Sequence, residues 1–345
     1  MNLLSPFGWL YGLIAVTRNS FYDRDIFRSS GLGARTISIG NITVGGTGKT
    51  PLVALAAEIL AQRGEKVCIL TRGYGRRDPG GRVLVSDGEK ILADAKTGGD
   101  EPVELARKLL GKAVVIADAN RVSAAKWALE NFSVTVFLLD DGFQHRRAKR
   151  DLDIVCIDAT DPFGGGKVVP AGRLREPVSR LSRADIVVIT RCDLVDSTEP
   201  IKAAIRENAN DVSIFTASSE MAGLVPLERF LSGDPTPRSI ADTELADAAF
   251  VFCALARPEN FTRQIARAGI KVSGSRTFRD HHFYSQHDIA KIEADAAQMR
   301  STALVTTAKD AVKLAGLNFT LPCFVALSEL KMNEEASFTD LLASF

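Results

Sequence analysis

Residues 36 to 53 read TISIGNITVGGTGKTPLV, and this stretch decides the fold. Thr36 to Gly40 is a short apolar run that ends in glycine. Gly45-Gly46-Thr47-Gly48-Lys49-Thr50 follows, and Lys49 to Gln62 carries helical spacing through Leu52, Val53, Ala56, Ile59 and Leu60. Strand, glycine-rich loop and helix in that order are the context a phosphate-binding loop requires. Backbone N–H groups of such a loop point at phosphate oxygens, and the start of the helix adds positive potential. Lys49 is then expected to reach the β- and γ-phosphates of a nucleotide, and the Thr50 hydroxyl to ligate Mg2+. The generic spacing asks for glycine at position 43, where Thr43 stands. The flanking strand and helix outweigh that departure from the pattern and the competing reading as an ordinary glycine-rich turn.

On either side the same alternation repeats. Val67–Thr71, Ala113–Ala117, Val134–Leu139, Ile154–Ile157 and Ile186–Thr190 read as buried strands, with helices over Glu101–Leu110 and Arg121–Glu130. Arg82–Ser86 and Lys90–Leu92, split by Asp87-Gly88, suggest an inserted hairpin. Continuous Val/Ile runs between helices imply a parallel sheet covered on both faces. A second series begins near residue 248, with strands at Ala249–Ala254, Ile270–Val272, Ala303–Thr307 and Phe319–Val325 and helices at Glu259–Ala268 and Gln286–Gln298. The expected organisation is an N-terminal helical segment over residues 1–30, a P-loop lobe over 31–222 and a smaller α/β lobe over 223–345. The boundary falls in the mixed stretch from Ala217 to Asp247.

Composition bounds the function. The 345 residues are 46% hydrophobic and 25% charged with a net charge of +1, which argues against wholesale disorder and against strong non-specific binding to nucleic acid. Five cysteines, none in a CxxC pair, argue against a zinc or disulfide framework. Leu3 to Val16 is apolar but interrupted by Ser5, Pro6 and Gly8, too short to span a bilayer and without a cleavage site. It reads either as a helix packed on the protein's own core or as an interfacial helix with Trp9 and Tyr11 at headgroup depth and Arg18, Arg24 and Arg28 facing anionic lipid.

Further residues carry chemistry. Val136-Phe137-Leu138-Leu139 runs into Asp140-Asp141, an apolar strand delivering a carboxylate to the sheet edge where it can hold Mg2+. Asp100, in Gly98-Gly99-Asp100-Glu101-Pro102, reads first as a helix cap and second as a proton acceptor. Asp280-His281-His282 contributes two of the four histidines. On an extended segment the two would point to opposite sides, leaving one free to orient toward a carboxylate. Arg72, Tyr74 and Arg76 follow the second strand. Arg175 and Glu176 lie in Gly172-Arg173-Leu174-Arg175-Glu176-Pro177, where basic groups can hold phosphates. Thr190-Arg191-Cys192-Asp193 and Thr307-Ala308-Lys309-Asp310 superficially resemble a guanine-reading element.

Taken in order, residues 40–51, 71–76, 99–102, 140–145, 170–177 and 280–282 closely resemble the tetraacyldisaccharide 4′-kinase family of lipid A synthesis. The resemblance implies transfer of the γ-phosphoryl group of ATP to the 4′-hydroxyl of tetraacyldisaccharide 1-phosphate, giving lipid IVA at the cytoplasmic face of the inner membrane. It implies Asp100 as proton acceptor paired with His281 across two closing lobes. It also implies ATP on Gly45, Gly46, Thr47, Gly48, Lys49 and Thr50, and Mg2+ among Thr50, Asp140, Asp141 and Glu176. Arg72, Tyr74, Arg76 and Arg175 would face the lipid substrate, and the N-terminal helix would lie in the membrane surface. No nucleic acid or obligate protein partner is implied. The alternative is a P-loop regulatory NTPase or metallochaperone-type switch.

Overall fold

The computed structural model describes residues 5–234, 236–237 and 248–344. In chain order the helices and strands are α1 (Ser5–Asp23), β1 (Arg35–Asn41), α2 (Lys49–Gln62), β2 (Val67–Thr71), β3 (Val83–Ser86), α3 (Ala95–Gly98), α4 (Asp100–Lys108), β4 (Ala113–Ala117), α5 (Arg121–Asn131), β5 (Val136–Asp140), β6 (Leu152–Asp158), β7 (Ile186–Thr190), α6 (Glu199–Asn208), β8 (Ser213–Pro226) and α7 (Leu227–Ser232). They continue with β9 (Ala249–Cys253), α8 (Pro258–Arg267), β10 (Val272–Thr277), α9 (Gln286–Gln298), β11 (Ala303–Thr307), α10 (Ala308–Ala311), β12 (Cys323–Met332) and α11 (Glu335–Ser344).

Contacts divide the chain into two units. Met1–Arg72, Gly111–Ser219 and Leu330–Phe345 form the first, and Gly73–Leu110 with Glu220–Glu329 form the second. This grouping differs from a division at residue 222 in two places. Residues 73–110 join the second unit because α4 packs on α10. The C-terminal residues return to the first because α11 packs on α2 and Phe338 sets its ring edge against Phe215. Residues 235 and 238–247, inside the expected connection, lie outside the described residues.

The first unit has the strand order β8-β7-β6-β1-β5-β2-β4, each neighbouring pair parallel. Strands such as VCILT, VFLLD and IVVIT are buried at every position, as expected of a sheet with both faces covered. The register pairs Ile39 with Asp140, so the strand that feeds the glycine loop and the strand that delivers the acids end side by side. Gly40 permits this. A Cβ there would lie 2.6 Å from the Cβ of Phe143, in the turn after β5.

The second unit has the order β10-β9-β11-β12, again parallel, with Val251, Cys253, Phe261, Ile265 and Val305 in its core. Strand β8 is absent from the sequence reading because SIFTASSEMAGLVP has no continuous apolar run. Its burial is mixed, with polar residues at its middle.

Helix α1 belongs to the first unit, and one face of it packs on the protein while its large apolar side chains are exposed. Gly8 is buried, and a Cβ on it would meet Ala171 at 2.8 Å, so the helix backbone rests on the loop at 168–171. Its large side chains turn outward: Phe7, Trp9 and Ile14 are 63%, 72% and 58% exposed. No described helix is long and apolar enough to cross a membrane.

Gly40→Ala is expected to destabilise the first unit by about 1–3 kcal/mol, because the added methyl overpacks against Phe143. Gly31→Ala, which meets nothing within 4 Å, should stay within about 0.5 kcal/mol of the native chain. Urea denaturation of the two variants checks both values, and equal midpoints would contradict the packing argument.

Candidate functional site

In the first unit the glycine loop is shaped by backbone conformation and held from outside. Gly45 (φ 110°) and Gly48 (φ 81°) occupy the left-handed region that glycine adopts without a Cβ penalty. Gly48 caps the 14-residue α2 with no side-chain hydrogen bond, which leaves the first N–H groups of the helix to an incoming anion. Four side chains fix the loop. Asn41 Nδ2 donates to Thr47 Oγ1 at 2.9 Å, and Thr190 Oγ1 donates to the Thr47 carbonyl at 2.8 Å. Arg191 Nη1 donates to the Gly46 carbonyl at 2.8 Å, and Arg173 Nη2 to that of Val44 at 2.9 Å. Arg191, itself left-handed at φ 58°, also pairs with the buried Asp158. The segment that resembles a guanine-reading element is therefore a brace for the loop.

The two acids after β5 behave differently. Asp140 is buried and takes a 2.8 Å hydrogen bond from Thr71 Oγ1 at the end of β2. Asp141 follows in a left-handed conformation (φ 54°) and meets two cations. Lys49 Nζ is 3.4 Å away, and Arg175 Nη1 donates to both carboxylate oxygens at 2.8 Å. Burial favours the neutral acid, but Lys49 and Arg175 outweigh it and hold the Asp141 carboxyl at about 2. The carboxylate is thus ionised and already next to the loop lysine.

Glu176, expected among the metal ligands, is held by protein donors in this structure. It is 2% exposed, and Arg183 Nη2 donates to both its oxygens at 3.0 Å. Asn19 Nδ2 adds a 2.8 Å bond to one oxygen and Gln144 Nε2 a 2.8 Å bond to the other. Each oxygen already accepts two hydrogen bonds, its full complement of lone pairs. Among the described residues no group of three or more His, Cys, Asp and Glu is placed to hold a metal ion. Thr50, at the second position of α2, and the adjacent Asp140 and Asp141 remain the oxygen donors at this edge. Arg72 is exposed directly after β2. Arg175 is engaged with Asp141 rather than open to solvent.

The second unit brings Asp100 and His281 together. Gly99, at φ 95°, occupies the cap position of α4, and Asp100 is the first helical residue, its Oδ1 accepting the Glu101 N–H at 3.0 Å. Asp100 is 2% exposed. His281 Nδ1 lies 2.9 Å and 3.1 Å from its two oxygens. An ionised carboxylate only accepts, so Nδ1 carries the proton and donates. The two histidines do part, through a left-handed turn at His281 (φ 61°) and not through an extended segment. His282 faces Asp288 at 3.2 Å, within the capping box of α9, and stacks on Phe278. Tyr74 is 56% exposed with its ring stacked 6.5 Å from that of His281, whereas Arg76 is buried and donates to the Pro79 carbonyl. Lys309, not singled out as a site residue by the sequence, joins Glu101 (2.9 Å) to Asp280 (3.2 Å) and so ties the histidine turn to α4.

Burial pushes the Asp100 carboxyl up, but the His281 hydrogen bond and the nearby Lys309 and Lys313 prevail and hold it below 3.8. The hydrogen bond to Asp100 raises His281 above 6.5 against burial and Lys309. Asp100 therefore contributes stability above pH 3.8 and loses it as pH falls through its depressed value. His281 contributes fully below pH 6.5 and loses its share as pH rises through its raised value. The pair stabilises the fold most between those two pH values. The His281 ring should titrate above 6.5 in the native chain and at lower pH in Asp100→Asn. Ring NMR of the four histidines reads this directly, and an unmoved His281 midpoint would contradict the pairing.

Comparison with known proteins identifies the family. The family model described as LpxK, tetraacyldisaccharide-1-P 4'-kinase, matches residues 1–345. The tetraacyldisaccharide 4'-kinase of Syntrophus aciditrophicus is 37% identical over 344 residues, 99% of this chain and 91% of that protein. That of Geobacter metallireducens is 38% identical over 314 residues, 91% of this chain and 88% of that one. The crystal structure of the "apo" form of LpxK from Aquifex aeolicus in complex with ATP superposes with a TM-score of 0.79 at 32% identity, covering 99% of this chain and 98% of that one. The reading as a regulatory NTPase or metallochaperone switch finds no support in these matches. Likeness along the whole length makes this chain a member of the tetraacyldisaccharide-1-phosphate 4'-kinase family.

Proposed function

We propose that this protein transfers the γ-phosphoryl group of ATP to the 4′-hydroxyl of tetraacyldisaccharide 1-phosphate while lying on the cytoplasmic face of the inner membrane. The observation that carries the reading is the Asp100–His281 pair at 2.9 Å in a chain that also carries a phosphate loop. A nucleotide switch that hydrolyses or exchanges its ligand has no need of a buried carboxylate set up to take a proton from an alcohol.

In the proposed reaction the sugar oxygen bonds to the γ-phosphorus, the bond to the β-phosphate oxygen breaks, and ADP leaves. The hydroxyl proton passes to a carboxylate oxygen of Asp100. His281 Nδ1–H orients that carboxylate and stabilises its charge. In-line transfer requires the alcohol and the phosphate to meet in one geometry, and most of the barrier reduction comes from positioning and charge neutralisation. Lys49 exchanges its contact with Asp141 for the β- and γ-phosphates, and the first N–H groups of α2 accept the remaining anionic charge. Thr50, Asp140 and Asp141 are the oxygen donors suited to Mg2+, which when bound screens the phosphate charge. Exposed Arg72 and Tyr74 are the substrate-side candidates, while Arg76 and Arg175 serve inward contacts.

The membrane reading rests on α1. Its glycine face is seated at Ala171 and its apolar side chains are exposed, which suits insertion to headgroup depth.

Incubation with labelled ATP, Mg2+ and detergent-dispersed disaccharide 1-phosphate should label the 4′ position, and Lys49→Ala should lower turnover at least about 100-fold. Labelling of another hydroxyl, or native-like turnover in the variant, would sink the assignment. Separately, Trp9→Glu with Ile14→Glu should weaken co-sedimentation with anionic vesicles at least about tenfold, because exposed apolar area no longer enters lipid. Thermal unfolding should be unchanged. Unaltered partitioning would remove α1 from the membrane contact.

A further inference from the structure

The second unit contains a buried cation that the reaction scheme above does not use. The Lys313 side chain, just beyond α10, is 0% exposed. Its Nζ lies 2.9 Å from Asp310 Oδ1, 3.6 Å from Asp100 Oδ2 and 5.6 Å from the Tyr284 ring centroid. Asp310 is equally buried. Its Oδ2 accepts the Ala254 N–H at 3.0 Å and the Thr307 hydroxyl at 2.8 Å, which locks the carboxylate to the ends of β9 and β11. Neither Lys313 Nζ nor Asp310 Oδ1 makes a well-directed hydrogen bond, so the ammonium is held by charge.

An ammonium away from water costs several kcal/mol unless carboxylates compensate it. Asp310 alone would neutralise Lys313. Asp100 is nevertheless within reach of the same Nζ, and it is the group proposed to take the proton. Other charged groups face Asp100 from every neighbouring element. Glu101 and Glu104 lie on α4, the latter pushed up to about 7 by burial. Asp280 and His281 lie on the histidine turn, and Lys309 and Asp310 on α10. Among the cations, Lys309 is engaged by Glu101 and Asp280, and His281 is partly exposed. Lys313 is the one whose side chain has a rigid anchor and no exposed surface.

We propose that Lys313 is a positioning residue for the transfer reaction, its Asp310-anchored ammonium serving as the internal partner that keeps the Asp100 carboxylate charged and in place for His281. The proposal rests on the reading of Asp100 as proton acceptor. It also gives the Thr307-Ala308-Lys309-Asp310 segment its function: Lys309 secures the histidine turn, and Asp310 secures the lysine behind the acid.

The test uses the full-length chain labelled with 13C at aspartate carboxyls, the Asp100 signal being assigned through Asp100→Asn. In Lys313→Met and Lys313→Gln the Asp100 midpoint should rise by about one pH unit or more, because an opposite charge within reach has been removed. Lys313→Arg, which keeps the charge, should leave it near the native value. Turnover of the two neutral variants should fall at least about tenfold with the KM for ATP within about twofold, since the lost interaction serves the transition state and not nucleotide binding. The Gln variant retains polar volume and supplies the reading if the Met variant does not fold. An Asp100 midpoint unmoved in the neutral variants overturns the proposal and leaves Lys313 as half of a core ion pair. A midpoint that rises while turnover stays native upholds the Lys313–Asp100 ion pair and overturns Lys313 as a positioning residue for the transfer, whereas native turnover in Asp100→Asn itself would overturn the reading of Asp100 as proton acceptor.

Discussion

The carboxylate of Asp141 has to stay ionised at the end of a strand whose five residues are all buried. Water cannot solvate it fully there, so the protein does, with the ammonium of Lys49 and the guanidinium of Arg175. Those partners come from separate segments. Lys49 opens α2, and Arg175 sits in a loop whose backbone is tied to the residue just after β1 by the 2.7 Å bond from its N–H to the Ile42 carbonyl. One charge therefore joins the phosphate loop, the acid turn and the 170s loop into a single assembly before any nucleotide arrives. The neighbouring Glu176 extends it. Through Asn19 it fastens α1, and through Gln144 and Arg183 it fastens the turn after β5 and the segment beyond the 170s loop. The helix that faces outward with its apolar side chains is thus hydrogen-bonded to the loop that touches the acid.

The second unit solves a related problem by other means. Asp100 is buried at the start of a helix, where the helix dipole favours its charge, and it has two unlike partners. His281 is partly exposed and holds the carboxylate from the solvent side through Nδ1. Lys313 is sealed inside and cannot exchange freely with solvent. A partly exposed partner on the outside and a sealed one within hold the carboxylate from two sides.

The two acidic centres differ in what surrounds them. The first gathers cations and backbone donors, which is what a polyphosphate needs. The second holds one buried carboxylate between a histidine and a lysine. Arg191 and Lys309 occupy corresponding motifs after β7 and β11. In both, a cation that looks like a base-reading residue braces a loop instead, Gly46 in one case and the histidine turn in the other.

Local sequence determined the class of the fold and the chemical nature of the site. A buried strand must be apolar throughout, a tight anion loop must be glycine-rich, and an acid at a strand end needs only the residue before it to be read, so TISIGNITVGGTGKT and VFLLDD declare themselves in one dimension. The histidine turn declared its residue types in the same way, but not which ring would face Asp100. That depended on a left-handed backbone at His281 and on a capping box at Ser285 and Asp288 that claims His282. Tertiary structure alone decided that Glu176 is consumed by Arg183, Gln144 and Asn19, that residues 73–110 belong with residues 220–329, and that Lys313 reaches an acid more than 200 positions earlier in the chain. The physical reason is common to all three. Charge compensation in a low-dielectric interior depends on distance in space, and the partner that satisfies a buried charge leaves no periodicity or spacing in the sequence by which to find it.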